Sequence, residues 1–353
     1  MRPFFLGLCI VLWFAASAVC TACAKLALSL LAPRAGSCAL TLTSLQFLVA
    51  ASASATACWI FNRRPPSAYR ELALVAFAYT MGFLLLNQSL GRLQASFTET
   101  VRGLEPLTSF ALARLFAARG SQLEPATAAA LGAVLAGAAL SVWAQPTFDV
   151  GGLFLGLLAN CAFSSRALLV TLLQDAQKKT AAAEGVAGGG EIDSVGLFAA
   201  QHILGLMLLA PMAYANEGTQ CLAELGVKRM ALRSALWSAS GFLCYNFLSL
   251  YVLLLLDAVA HSVCNTCRRA VTICAALVIF ASPISIPSTI GIVLIIGGSV
   301  GYAVAKDQAS RSAAARRGVE LARVAENDAM TDSDVEKARL TADGVGNSPA
   351  TSD

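Results

Sequence analysis

Residues 4–31 read FFLGLCIVLWFAASAVCTACAKLALSLL, an apolar run interrupted by the single charge of Lys25. A helix rises about 1.5 Å per residue, so such a run crosses a bilayer core of about 30 Å without a break. Nine further runs of similar character follow: 38–61, 71–91, 96–117, 126–144, 151–173, 195–215, 235–256, 259–281 and 286–305. Turn and charge signals separate them at Ala32-Pro33-Arg34-Ala35-Gly36, Asn62-Arg63-Arg64-Pro65-Pro66, Arg119-Gly120, Gln145-Pro146 and Ser282-Pro283. The short alternating segments of a membrane β-barrel are missing. The expected fold is therefore an all-α polytopic membrane protein of ten transmembrane helices.

Composition agrees. Of 353 residues, 57% are hydrophobic and 13% charged, whereas soluble domains run about 45–50% apolar and about 25% charged. Too little charge remains to coat a water-facing surface. Eleven cysteines in this length fall below the density of a disulfide scaffold. Soluble enzymes, disordered chains and secreted cystine-rich domains are excluded.

Lys and Arg in the loops orient the spans. Arg63, Arg64, Arg70, Arg119, Lys178, Lys179, Lys306, Arg311, Arg316 and Arg317 share one side if both termini are cytosolic. Lys228, Arg229 and Arg233 in the 217–234 loop fall on the other. Arg2 and the small residues Ala16-Ser17-Ala18 also fit a secretory signal with its cleavage site, but apolar character continues to Leu31, which favours an uncleaved first span. Residues 1–173 form the first half, of five to six spans. Residues 174–194, with Gly188-Gly189-Gly190, form a flexible cytosolic connector, residues 195–306 hold the remaining spans, and 307–353 form a disordered cytosolic tail.

Ionisable side chains inside spans are costly and mark functional candidates. Arg102, Glu99 and Glu105 fall in the fourth run, Arg166 in the sixth, and Arg268 and Arg269 in the ninth, with Lys25 toward the end of the first. Cations outnumber acids, and buried unpaired charge is unfavourable. The balancing group is expected to be an external anion, and guanidinium forks suit phosphate. Other readings stay open: Arg102 pairs locally with Glu99 or Glu105, Arg166 reaches the cytosolic interface, and one of Arg268 and Arg269 points away, since adjacent helical residues diverge by about 100°. His261 either contacts substrate or bonds at its helix start. The two halves repeat weakly, with Asn87…Ser96…Arg102 in one and Asn246…His261…Arg268-Arg269 in the other, in the manner of inverted five-helix repeats.

At these residues the chain resembles the triose-phosphate translocator family of the drug/metabolite transporter superfamily. The family's Ser-Phe-Thr-His-Thr-(Ile/Val)-Lys-Ala-x-Glu-Pro stands here as Ser96-Phe97-Thr98-Glu99-Thr100-Val101-Arg102-Gly103-Leu104-Glu105-Pro106. Its Asn-x-x-Phe-x-x-Arg is Asn160 to Arg166. Its Tyr-Asn and His-x-x-x-Asn-x-x-Lys-Arg are Tyr245-Asn246 and His261, Asn265, Arg268-Arg269. The last span, from Thr289 and Gly291 to Tyr302 and Lys306, is also similar. The resemblance implies an antiporter exchanging a phosphorylated metabolite for inorganic phosphate. It further implies a clamp of Arg102, Arg268 and Arg269 with Tyr245 and Arg166 beside it, and Glu99, Thr100, Asn87, His261 and Asn265 as further substrate-binding candidates. Two departures stand out. The family's Gly-His-x-x-Thr-Asn is Gly82-Phe83-Leu84-Leu85-Leu86-Asn87, and its span-four His is Glu99.

Cys20-Thr21-Ala22-Cys23 and Cys264-Asn265-Thr266-Cys267 have metal-like spacing but lie inside spans, where cysteine packs as a small apolar residue. His202 reads as structural, and Gly132, Gly137, Gly291, Gly297, Gly298 and Gly301 as sites of close helix packing. No catalytic triad, phosphate-binding loop or metal box is present, so neither an enzyme nor a cofactor is expected. The expected partners are a phosphorylated small molecule and inorganic phosphate, without nucleic acid; a homodimer is left open. A nucleotide-sugar or nucleoside monophosphate antiporter, or a non-transporting scaffold with this fold, remains the alternative. Golgi or endoplasmic reticulum is the expected membrane, with a plastid membrane second.

Overall fold

The computed structural model describes residues 2–31, 38–116, 124–145, 149–183, 192–256, 258–282, 285–312 and 315. Every element there is helical: α1 Arg2–Leu31, α2 Ala39–Ile60, α3 Tyr69–Arg92, α4 Ala95–Arg102, α5 Glu105–Phe116, α6 Pro125–Trp143, α7 Val150–Ala183, α8 Ser194–Glu217, α9 Gln220–Val227, α10 Arg229–Leu255 and α11 Ala258–Ile279. A final helix, α12, spans Ile286–Ser312. Among the described residues, nine helices are long and apolar enough to cross a membrane. The expected flexible connector starts later than its sequence suggested, since α7 runs on to Ala183. Gly188-Gly189-Gly190 and most of the tail lie outside the described residues. In the unit that begins at Val304, Arg311 Nε pairs with Asp307 at 2.7 Å.

The fourth expected span, 96–117, is two helices rather than one. Pro106 has no N–H to donate to the Arg102 carbonyl four residues earlier, so the helical ladder stops there. The chain tightens instead, with Gly103 N reaching Thr100 O at 2.9 Å and Leu104 N reaching Val101 O at 3.1 Å. Close approach fixes the residue at the bend: a Cβ on Gly103 would sit 2.5 Å from Ile295 Cγ2 of α12. Hydropathy registers one apolar run; the backbone makes two helices of it.

The helices pair in a pattern that exchanges the two halves. α1 packs on α10 as α3 packs on α7, α1 on α11 as α4 on α7, and α2 on α8 across the middle. α6 meets α12 through glycine: a Cβ on Gly137 would come 2.6 Å from Gly291 O, and one on Gly298 2.8 Å from Ala130 O. Gly132 and Gly297 have no neighbour within 4 Å of such a Cβ, so the close contact uses only part of the expected set. Large aromatics at helix ends face outward, Trp59, Tyr69, Trp143 and Tyr214 among them, as side chains at a membrane interface do.

One end of the bundle is tied down by several independent contacts. Ala27, Leu28, Leu31, Leu42, Leu90, Leu225 and Ala276 bury one another there. The Glu217 carboxylate caps α2 by accepting from Leu40 N, Thr41 N and Thr41 Oγ1 at 2.8, 2.8 and 2.6 Å. Lys25 Nζ donates to the carbonyls of Leu90 and Leu93 at 2.8 and 2.6 Å, closing the C-terminus of α3. A disulfide joins Cys38 to Cys221. Neither the cap made by Lys25 nor the disulfide follows from the sequence pattern.

Candidate functional site

Six helices from both halves enclose a narrow cavity of about 30 Å³, room for little more than a water molecule. α1 contributes Ser17, Cys20, Thr21 and Ala24, and α2 contributes Gln46. α3 adds Phe83, Leu86, Asn87 and Leu90, and α4 adds Thr98, Glu99 and Arg102. α10 and α11 complete the wall with Phe242, Tyr245 and Arg268. Any solute much larger than water enters only if the helices part.

Arg102 and Arg268 reach the cavity from opposite halves, 9% and 5% exposed. The Arg102 guanidinium lies 4.6 Å from the centroid of the Phe163 ring, and its Nε has no hydrogen-bond partner. Arg268 is held in place: Nε and Nη2 donate to Asn265 Oδ1 at 3.1 and 3.0 Å, and Nη1 donates to Ser17 Oγ. Tyr245 and Trp13 present ring faces to it at 5.5 and 5.9 Å. Asn265 thus acts on Arg268, one helical turn away, rather than lining the cavity itself.

Arg269 turns the other way. Its Nη2 pairs with Glu105 and its Nη1 donates to the Arg102 carbonyl, the acceptor that Pro106 leaves open. It borders a second pocket, with Thr100, Gly103, Ile273, Ile295 and Ser299. Two more side chains serve the same bend: Asn160 Nδ2 donates to Val101 O at 2.7 Å, and Ser299 Oγ to Gly103 O at 3.1 Å. Bare backbone inside a membrane is unfavourable unless protein groups satisfy it, and here α7, α11 and α12 each supply one donor.

The remaining candidates divide between the cavity and its surroundings. Asn87 lines the cavity and donates to Thr43 Oγ1 and Gln46 Oε1 at 2.9 and 2.8 Å. Glu99 lies on the cavity wall, 4% exposed, with Oε1 accepting from Thr21 Oγ1 at 3.1 Å and Oε2 without a partner. Thr100 bonds back to Ser96 O and faces the second pocket. His261 stacks on Trp13 with centroids 5.1 Å apart and meets Ser249 Oγ at 3.2 Å, outside the cavity lining. Arg166 sits over the Tyr79 ring at 4.7 Å and donates to Gln201 Oε1 at 3.2 Å, in an aromatic cluster beside the cavity.

That cluster contains His202, fully buried among Phe47, Tyr79, Phe198 and Phe242. Its Nδ1 meets the Phe198 carbonyl at 2.6 Å, which can only accept, so Nε2 at 3.2 Å accepts from the Tyr79 hydroxyl. The ring is fully engaged in packing and bonding. Among the described residues, no group of three or more His, Cys, Asp or Glu could hold a metal ion.

Sequence reading missed Ser17, Thr21 and Gln46 as cavity residues, although Gln46 is a polar residue within an apolar run. Phe83 and Leu86, the positions where the family carries His and Thr, both line the cavity. They give it an apolar wall.

Comparison with known proteins bears on this arrangement. The sequence model of the Triose-phosphate Transporter family matches residues 4–303. A phosphoenolpyruvate/phosphate translocator 1, chloroplastic, of Oryza sativa subsp. japonica is 28% identical over 76% of this chain and 64% of its own length. A triose phosphate/phosphate translocator, non-green plastid, chloroplastic, of Brassica oleracea var. botrytis is 27% identical over 76% of this chain and 65% of its own. The glucose-6-phosphate/phosphate translocator 2, chloroplastic, of Arabidopsis thaliana is 25% identical over 67% and 59% respectively. The chain therefore spans less than two thirds of the length of these relatives.

Proposed function

The chain belongs to the triose-phosphate transporter family, and from that premise we propose that this multi-pass membrane protein exchanges a phosphorylated metabolite for inorganic phosphate by alternating access. One observation carries the reading: Arg102 and Arg268, from opposite halves, converge on one enclosed cavity where, among the described residues, Glu99 is the only acid. The relatives' names differ in the organic substrate and share phosphate. Exchange, rather than one-way flow, follows from the charge. An empty cavity with two arginines against one acid is costly to close and reorient, and a bound phosphate anion offsets the surplus positive charge. Arg268, fixed by Asn265 and Ser17, and Arg102 grip the phosphate, while Tyr245 and Asn87 border the rest of the substrate. Arg269 positions the bend from which Arg102 projects.

Counterflow of [³²P]phosphate into preloaded proteoliposomes tests this. Arg102→Ala and Arg268→Ala each lower exchange by about tenfold to a hundredfold, the loss of a charge-assisted hydrogen bond; Arg311→Ala on α12 leaves it intact. Full exchange in both cavity variants would sink the reading. Stimulation by a preloaded nucleoside monophosphate but not by sugar phosphates would favour the nucleotide-sugar alternative instead.

With both termini cytosolic, Cys38 and Cys221 lie on the far side of the membrane, and a persistent disulfide suits an oxidising compartment. We therefore assign the protein to Golgi or endoplasmic reticulum membranes, or to a plastid membrane reached through the secretory route. Cell fractionation with non-reducing electrophoresis checks the assignment.

A further inference from the structure

Resting on the phosphate-exchange reading, we propose that Glu99 sets the substrate class: it selects phosphate esters whose organic part offers hydroxyl donors and rejects those that carry a carboxylate. The carboxylate is almost wholly buried on the cavity wall, three residues before Arg102 and an electrostatic neighbour of Arg268. Thr21 Oγ1 satisfies Oε1, and Oε2 is left without a donor. A buried carboxylate oxygen lacking its hydrogen bond is unfavourable, and a substrate hydroxyl supplies what is missing.

Where Phe83 and Leu86 line the cavity, a substrate carboxylate finds no donor, only apolar surface. Arg269 is committed to Glu105 and to the Arg102 backbone, so it cannot serve as an extra cation. Arg102 and Arg268 are already opposed by a phosphate dianion together with Glu99. A third negative charge on the substrate meets Glu99 as a like charge in a poorly screened interior, an arrangement that discriminates strongly between partners. Sugar and polyol phosphates fit; phosphoenolpyruvate and phosphoglycerate do not.

Full-length protein in proteoliposomes provides the test. Vesicles are preloaded with glycerol 3-phosphate or with phosphoenolpyruvate at equal concentration, and uptake of external [³²P]phosphate is followed. The polyol phosphate drives uptake at least about tenfold faster, equivalent to about 1.4 kcal/mol. Glu99→Gln narrows that ratio by about tenfold, each rate being normalised to the variant's own phosphate-for-phosphate exchange. Equal rates with the two esters in the wild type overturn the inference. So does an unchanged ratio in a Glu99→Gln protein that still exchanges phosphate. Should the variant fail to fold, the wild-type ratio decides alone. Absence of any phosphate-for-phosphate exchange in the wild type is a different failure, which removes the proposed function and this inference with it.

Discussion

α11 delivers Arg268 and Arg269 from an uninterrupted run of 22 residues, whereas Arg102 stands on the last turn of an eight-residue helix that ends in a bend. The two helices occupy corresponding places in the two halves, α4 packing on α7 as α11 packs on α1. In α11 the backbone satisfies itself, leaving both guanidiniums free to serve other groups. Between α4 and α5 it does not, and three side chains from elsewhere complete it: Asn160, Arg269 and Ser299. The intact helix thus supports the broken one. One arginine of the adjacent pair goes to the cavity and the other to the bend, so two like-looking residues carry different tasks.

The asymmetry can be broken most severely at Arg269. Arg269→Ala leaves the partly buried Glu105 without its cation and the Arg102 carbonyl without a donor, and it destabilises the protein by about 2–3 kcal/mol. Thermal unfolding in detergent reads this; adding Glu105→Gln recovers a large part, because the stranded charge is gone. A smaller effect follows Pro106→Ala, which returns an N–H to compete for the Arg102 carbonyl. Phosphate exchange falls by about tenfold while the unfolding temperature holds or rises, since proline disfavours helix interiors. Unaltered exchange there would mean the bend is dispensable. The mildest change is Asn160→Ala, which removes one neutral donor from Val101 O and costs about 1 kcal/mol. A stability loss as large as that of Arg269→Ala would overturn this ranking of the donors at the bend.

Nine spans and the membrane class were legible because hydropathy over about 20 residues is a local property. The break at Gly103-Leu104 was not, although Pro106 was in plain view: an apolar window records side chains and is blind to whether the backbone ladder continues. Its repair was further out of reach. Asn160, Arg269 and Ser299 lie 59, 167 and 196 residues from the carbonyls they serve, and no spacing rule links them. Charge counting pointed to an anion site through the surplus of arginine. It could not apportion that surplus, because the Arg269–Glu105 pair joins residues 164 apart. Thr21 and Ser17 escaped notice because small hydroxyl residues are common in helices and matter here only through Glu99 and Arg268.

The bridge between Cys38 and Cys221 spans 183 positions of sequence. Chain and sulfur together make a closed ring that takes in α2 through α8, the whole run from the second helix of one half to the first long helix after α7. The two halves are consequently joined along two covalent routes, one through the backbone and one through the bridge. A single cut in the peptide anywhere between residues 39 and 220 opens the ring without dividing the molecule. Reductant is then required to release two pieces.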